Sequence, residues 1–259
     1  MKKKAIKVLV FAGYGLNCEE ETAYAFELAG AKADIVHIND LIDKKVNMQT
    51  YQILAVPGGF AYGDDTGSGK AYANRMRNHL WNDIEKFVED GKLMIGICNG
   101  FQVLSQLRIL PGALSHNDSN RYIDRWVDMK VVGESPWLKG ISKISAPIAH
   151  GEGKFIADKK LIAQMKKEKA IALLYERGEM ANYLDLPANP NGSVDNVAGV
   201  LSHKGRVFGL MPHPERGMFF TNRPDWPFLK RASQDADMKL PEYTEALRIF
   251  KNGVEYFNK

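Results

Sequence analysis

The apolar run Leu93 to Ile97 ends without a linker at Cys98, which stands between Gly96 and Gly100, and a helical pattern from Phe101 to Leu107 follows at once. A strand that passes straight into a helix turns a sharp corner, and a side chain on that corner is held out where a substrate can reach it. The flanking glycines let the backbone bend without Cβ clashes. The N-terminus of the following helix places a partial positive charge and unpaired N–H groups beside the sulfur, and both favour thiolate over thiol. Cys98 is therefore a candidate nucleophile, which requires a base and a group to orient that base.

Six histidines are present, and one lies in Met211-Pro212-His213-Pro214-Glu215-Arg216, directly after the apolar run Arg206 to Met211. Pro214 biases His213 away from helical torsions and toward extended ones. In an extended chain, positions two apart point the same way. His213 and Glu215 then share one side, where the carboxylate holds the imidazole in a single tautomer.

The rest of the chain supplies the frame for such a pair. Ile6 to Phe11, Ala33 to Ile38, Gln52 to Val56 and Leu93 to Ile97 read as strands. Between them, Glu19 to Leu28 reads as a helix closed by Gly30, and Leu80 to Glu89 as a helix ending near Gly91. This alternation predicts an α/β fold, an open, mostly parallel twisted sheet with helices on both faces. Sites in such sheets form beyond the C-terminal strand ends. The segments Gly13 to Cys18, Gly58 to Asp65 and Cys98 all follow strands, so they are expected at one edge.

Strand signals dominate the second half: Trp126 to Val132, Ile144 to Ile148, Ile171 to Tyr175, Val197 to Ser202 and Arg206 to Leu210. They predict a smaller antiparallel β element, with a hairpin turning at Lys204-Gly205. Asp158 to Lys169 reads as a basic amphipathic helix or a turn. In the tail, Tyr243, Leu247, Phe250 and Val254 recur at helical spacing, which predicts an amphipathic helix that caps the domain rather than binding a partner.

Formal charge is +4, from 35 basic and 31 acidic residues, too small an excess to imply a nucleic-acid partner. Lys2-Lys3-Lys4 is read as a solvated tip. No apolar run approaches membrane-spanning length, and no small-residue cleavage site follows the short run Ala5 to Ala12. Two cysteines cannot build a disulfide framework, and a catalytic thiol needs reducing surroundings, so a cytoplasmic location is expected.

Gly96-Ile97-Cys98-Asn99-Gly100-Phe101-Gln102 and Pro212-His213-Pro214-Glu215 resemble the signature of the class I (Cys-His-Glu) glutamine amidotransferases, whose sheet is flavodoxin-like. Pro57-Gly58-Gly59-Phe60-Ala61-Tyr62-Gly63-Asp64-Asp65, His150-Gly151-Glu152-Gly153-Lys154-Phe155, Asn189-Pro190-Asn191-Gly192-Ser193 and Gly15-Leu16-Asn17-Cys18-Glu19-Glu20-Glu21 narrow the resemblance. They are similar to the glutaminase component of phosphoribosylformylglycinamidine synthase. The resemblance runs from Lys7 to Arg216 and more loosely beyond. It implies a single glutamine amidotransferase domain over residues 1–259, with 217–259 as an extension packed on it. Relative to compact members of that family, extra length falls at Glu134 to Lys143 and in the tail from Asp225.

The resemblance also implies roles. Cys98, His213 and Glu215 form the catalytic set that hydrolyses L-glutamine to glutamate and ammonia. Gly59 and Asn99 backbone amides make the oxyanion hole. Gly58, Gln102, His150, Gly151 and Glu152 bind substrate, with a free Glu152 carboxylate on the substrate ammonium. It further implies a synthase partner that uses ATP and Mg on another chain, with or without a small accessory subunit, and no cofactor in this one. Asn117, Arg121 and Arg125 resemble the family's segment after the elbow helix, where the arginines meet a partner or solvate a loop.

Other features lead elsewhere. Gly67-Ser68-Gly69-Lys70 lacks the glycine at position 64 and the Ser or Thr at position 71 that a phosphate loop needs. His150 and Glu152 have no further ligands at metal spacing, so no metal site is expected. Cys18 has no base near it in the chain and is read as structural or loop-packing. Two rival functions remain: a different amidotransferase pathway, against which the Gly-Phe-Ala-Tyr-Gly-Asp-Asp and Asn-Pro-Asn-Gly-Ser segments count, and a catalytically silent binding module, against which the intact Cys98, His213 and Glu215 count.

Overall fold

A computed structural model describes residues 5–63, 67 and 69–258. Asp64, Asp65 and Ser68, and the lysines at positions 2–4, lie outside the described residues. One sheet of nine strands carries the molecule. Its first half holds β1 (Lys7–Ala12), β2 (Lys32–His37), β3 (Ile53–Val56) and β4 (Leu93–Ile97). Its second half adds β6 (Ile123–Val131), β7 (Lys143–His150), β9 (Ile171–Glu176), β10 (Val197–Ser202) and β11 (Val207–Leu210). The order is β2-β1-β3-β4-β11-β10-β9-β6-β7. Neighbours from β2 to β11 run parallel, and those from β11 to β7 run antiparallel.

Burial follows that division. β3, β4 and β11 are buried at every residue, as strands covered on both faces must be. β7 buries every second residue, as expected where one face of the sheet is less covered. The strands of the second half therefore extend the parallel sheet. A separate two-stranded sheet pairs β5 (Ala113–Ser115) with β8 (Lys154–Ile156).

Helix α1 (Glu19–Leu28) packs on β1 and β2, with Glu19, Glu20 and Glu21 in its first turn complementing the helix dipole. A short α2 (Ile38–Ile42) follows β2 directly. Helix α3 (Lys70–Glu89) begins well before the predicted Leu80, because Tyr72, Ala73 and Met76 continue the buried stripe through a charged stretch. It packs against α4 (Asn99–Gln106), which lies on β3, β4 and β11. Asp158 caps α5 (Lys159–Lys167) by accepting from the Leu161 amide, so this segment is a helix rather than a turn. α6 (Glu179–Leu184) and α7 (Trp226–Asp235) lie outside the segments expected to be helical.

Helix α8 (Glu245–Glu255) buries Leu247, Phe250 and Val254 against α1 and β7. Its Asn252 donates to the carbonyls of Trp137 and Lys139, and Phe250 meets Phe26 edge-on at 5.0 Å. The C-terminal helix and the segment around Trp137 thus pack on each other.

Candidate active site

All five parallel strands point the same way, so the turns after β1, β3, β4 and β11 meet at one edge. Cys98 ends β4 and caps α4 with φ 51° and ψ −106°, a conformation that L residues rarely adopt. The cysteine itself therefore takes the bend that the flanking glycines were expected to take. The glycines serve close packing instead. A Cβ on Gly96 would stand 2.7 Å from the Gly100 carbonyl, and one on Gly100 would collide with the Val56 carbonyl.

β4 and β11 are register neighbours, Ile97 opposite Leu210, and Cys98 N donates to Leu210 O at 2.8 Å. His213 follows three residues later, anchored by its N–H on the Pro147 carbonyl at 2.8 Å. Its φ of −102° and ψ of 87° are non-helical, in line with the bias from Pro214, but fall short of the extended region that was expected. Glu215 sits in a single 3₁₀ turn, Pro214–Arg216, rather than in extended chain. The two side chains still meet, with His213 Nδ1 2.6 Å from Glu215 Oε1, and both are buried.

Burial alone would depress the His213 imidazole. The Glu215 carboxylate and the two neighbouring sulfurs, Cys98 and Cys18, outweigh it and hold the imidazole well above its ordinary value.

Gly59, Phe60, Cys98, Gln102, Ala149, His150, Gly151 and Glu152 line one narrow cleft at this edge. The Cys98 sulfur lies 3.8 Å from the Ala149 carbonyl. Gly59 occupies a left-handed φ of +151°, and a Cβ there would approach Gly15 O to 2.5 Å. Its bridge to Leu16 is made by the Asn17 and Phe60 amides, bonded to Gly58 O and Gly15 O, so the Gly59 N–H takes no part in it. The Asn99 N–H lies in the first turn of α4, where the backbone amides lack an intrahelical partner. Gly58 abuts His213, since a Cβ there would stand 2.6 Å from its Cε1.

Two predicted binding groups are already engaged. The Gln102 amide accepts from Asn99 Nδ2 at 2.7 Å and donates to the Glu152 carbonyl at 2.6 Å, while Asn99 Oδ1 accepts from Ala61 N. Gln102 thus ties the cleft walls together. The Glu152 carboxylate faces His116 Nδ1 at 3.7 Å and is not free. His150 is buried, and burial pushes it down to about 4. Its Nδ1 meets Asn117 Oδ1 at 3.1 Å, and its Nε2 has no hydrogen-bond partner.

Asn117 also accepts from Gly153 N and donates to the His150 carbonyl. Asn191 donates to the Gly153 carbonyl, and Ser193 Oγ accepts from Phe155 N. The Asn-Pro-Asn-Gly-Ser segment therefore braces the His150–Phe155 loop from behind. Arg125 donates to the Pro187 carbonyl, which leaves it as a loop brace.

Cys18 is the residue that sequence reasoning missed. It is buried at the start of α1, with His213 and Glu215 beside it. No base lies near it along the chain. Its only sequence signal is its place in a loop that follows β1.

A strained cysteine at a strand-to-helix corner, beside a buried histidine–carboxylate pair at a parallel sheet edge, defines an α/β protein of the thiol-nucleophile class. The chain belongs to the CobB/CobQ-like glutamine amidotransferase domain family, whose model matches residues 5–257. It is 48% identical over 274 residues to the phosphoribosylformylglycinamidine synthase subunit PurQ of Methanococcus maripaludis, covering 100% of both chains. The subunit PurQ of Dehalococcoides mccartyi is 39% identical, with 97% of each chain covered. Among solved structures, a chain in PurLQS from Thermotoga maritima superposes with a TM-score of 0.73 at 28% identity, covering 98% of this chain and 99% of that one.

Proposed function

We propose that this chain is a glutaminase that hydrolyses the side-chain amide of L-glutamine and delivers ammonia to an ATP-dependent synthase making phosphoribosylformylglycinamidine in purine biosynthesis. The buried 2.6 Å His213–Glu215 pair beside the Cys98 elbow carries this reading. The raised His213 imidazole holds the proton of the Cys98 thiol, and the sulfur forms a bond to the amide carbon. His213 then passes that proton to the amide nitrogen, the carbon–nitrogen bond breaks and ammonia departs. A γ-glutamyl thioester remains. His213 deprotonates a water that adds to the thioester, the carbon–sulfur bond breaks, and glutamate leaves with the thiol restored.

The Gly59 and Asn99 amides receive the developing oxyanion; removing one such donor typically costs about 10²–10³ in rate. Gly58 gives the imidazole room, and Gln102 holds the Glu152 backbone in place. His150, Gly151 and Glu152 form the wall for the amino-acid end of the substrate.

Subunits of the PurL and PurS kind are its partners. ATP and Mg belong to the synthase chain, and no cofactor is needed in this one. Two free cysteines beside one imidazole suit the reducing cytoplasm. Among the described residues no helix is long and apolar enough to cross a membrane.

Glutamate release in the presence of the synthase tests the reading. Cys98→Ala should abolish it, and a glutamine-like electrophile should add mass to Cys98 alone. Equal release by wild type and Cys98→Ala would refute the assignment.

A further inference from the structure

The fold assembles a group of donors that the proposed reaction uses only in part. Cys18 Sγ, one ring nitrogen of His213 and a carboxylate oxygen of Glu215 all lie within 4.8 Å of one another. All three residues are buried. Gly58 abuts both Cys18 and His213, since a Cβ there would stand 3.1 Å from Cys18 Sγ and 2.6 Å from His213 Cε1. Among the described residues, His213 Nε2 and Glu215 Oε2 are buried without a hydrogen-bond partner.

A thiolate, an imidazole and a carboxylate are zinc ligands, and three protein ligands with an open fourth position make a common zinc arrangement. Bond lengths of about 2.0–2.3 Å place neighbouring ligands of a tetrahedral zinc roughly 3.3–3.6 Å apart. The present cluster therefore closes around an ion with side-chain shifts on the order of 1 Å. We propose that Cys18, His213 and Glu215 form a regulatory site for a soft divalent cation of the zinc class, whose binding silences the glutaminase.

Binding exchanges two protons for the metal, one from the Cys18 thiol and one from the raised His213 imidazole, and releases both to solvent. An ion on Nε2 occupies the lone pair that accepts the Cys98 proton. An ion on the Nδ1 side removes the carboxylate that orients the ring. Arg216, paired with Glu21 at 3.4 Å, is a cation that also interacts electrostatically with Cys18 and Glu215 and so opposes the bound ion. The silencing rests on the catalytic reading above, whereas cation binding does not.

The chain has two cysteines, which makes a clean test possible. In Cys98→Ser protein, Cys18 is the only thiol. Titration with cobalt(II) should produce a thiolate-to-metal charge-transfer band that saturates at one ion per chain and bleaches on adding zinc. The Cys18→Ala/Cys98→Ser double variant supplies the blank. Absence of the band in Cys98→Ser protein overturns the proposal, and this readout needs neither glutamine nor a partner.

In the second arm, zinc should inhibit wild-type glutaminase reversibly, with activity restored by a chelator. Cys18→Ser should raise the zinc concentration for half-inhibition at least tenfold. Equal zinc sensitivity of the two proteins also overturns the proposal.

Discussion

Replacing Glu215 by glutamine preserves the shape of its contact with His213 and removes the charge. Burial is then left as the largest influence on the imidazole, so the His213 titration should move down from its raised position. Glutamine hydrolysis should fall by about 10²–10⁴-fold, in line with loss of the orienting acid in comparable triads. The pH dependence of kcat for the Glu215→Gln variant checks both statements. His150 shifts in the opposite direction. Its native pKa of about 4 lies below the value near 6.5 of an unfolded histidine, so the unfolded chain binds the extra proton. Its contribution to stability is complete above about pH 6.5 and is lost as pH falls toward 4. Between pH 7 and about pH 4.5, wild type should lose roughly 2–3 kcal/mol more than His150→Gln, read from urea unfolding at both values. At this scale Cys98, His213 and Glu215 were legible, because each stands in a local pattern of strand end, glycine or proline. Cys18 and Asn117 were not, since their partners lie far away in the chain.

Helix α4 depends on how closely it approaches β3. A methyl group on Gly100 would meet the Val56 carbonyl, a rigid backbone atom. Gly100→Ala should cost about 1–3 kcal/mol in chemical denaturation, and its kcat should drop because the Asn99 amide moves with the helix. The loop after β7 depends on Asn117 in a similar way. Asn117→Ala leaves the Gly153 N–H and His150 Nδ1 without their partner, at about 1–3 kcal/mol for each buried group left unsatisfied. The effect should appear as a raised KM for glutamine with a smaller change in kcat. Element identities in the first half were readable because a buried parallel strand is a short, unbroken apolar run. The start of α3 was hidden by charges facing solvent, and β5 and β8 are three-residue strands with no period to detect.

Across the whole molecule, α8 joins the two halves of the sheet by packing on α1 and β7, and Gly253 lies against the Trp137 ring. Phe250→Ala should cost about 3–5 kcal/mol, because its ring is fully buried against Phe26. Thermal unfolding followed by circular dichroism measures this loss, and residual protein below the new midpoint should keep its Cys98 reactivity. Legible in the chain alone were the α/β class, the elbow at Cys98, the non-helical torsions of His213 and the chemistry those residues imply. Each of these follows from the covalent and steric preferences of a few adjacent residues. Only the tertiary structure decided that the antiparallel strands continue the parallel sheet. It also decided that Gln102 and Asn117 brace the cleft, and that Cys18 shares the His213 imidazole. Those outcomes depend on which distant segments come within a few ångströms of each other, and local preference carries no record of such contacts.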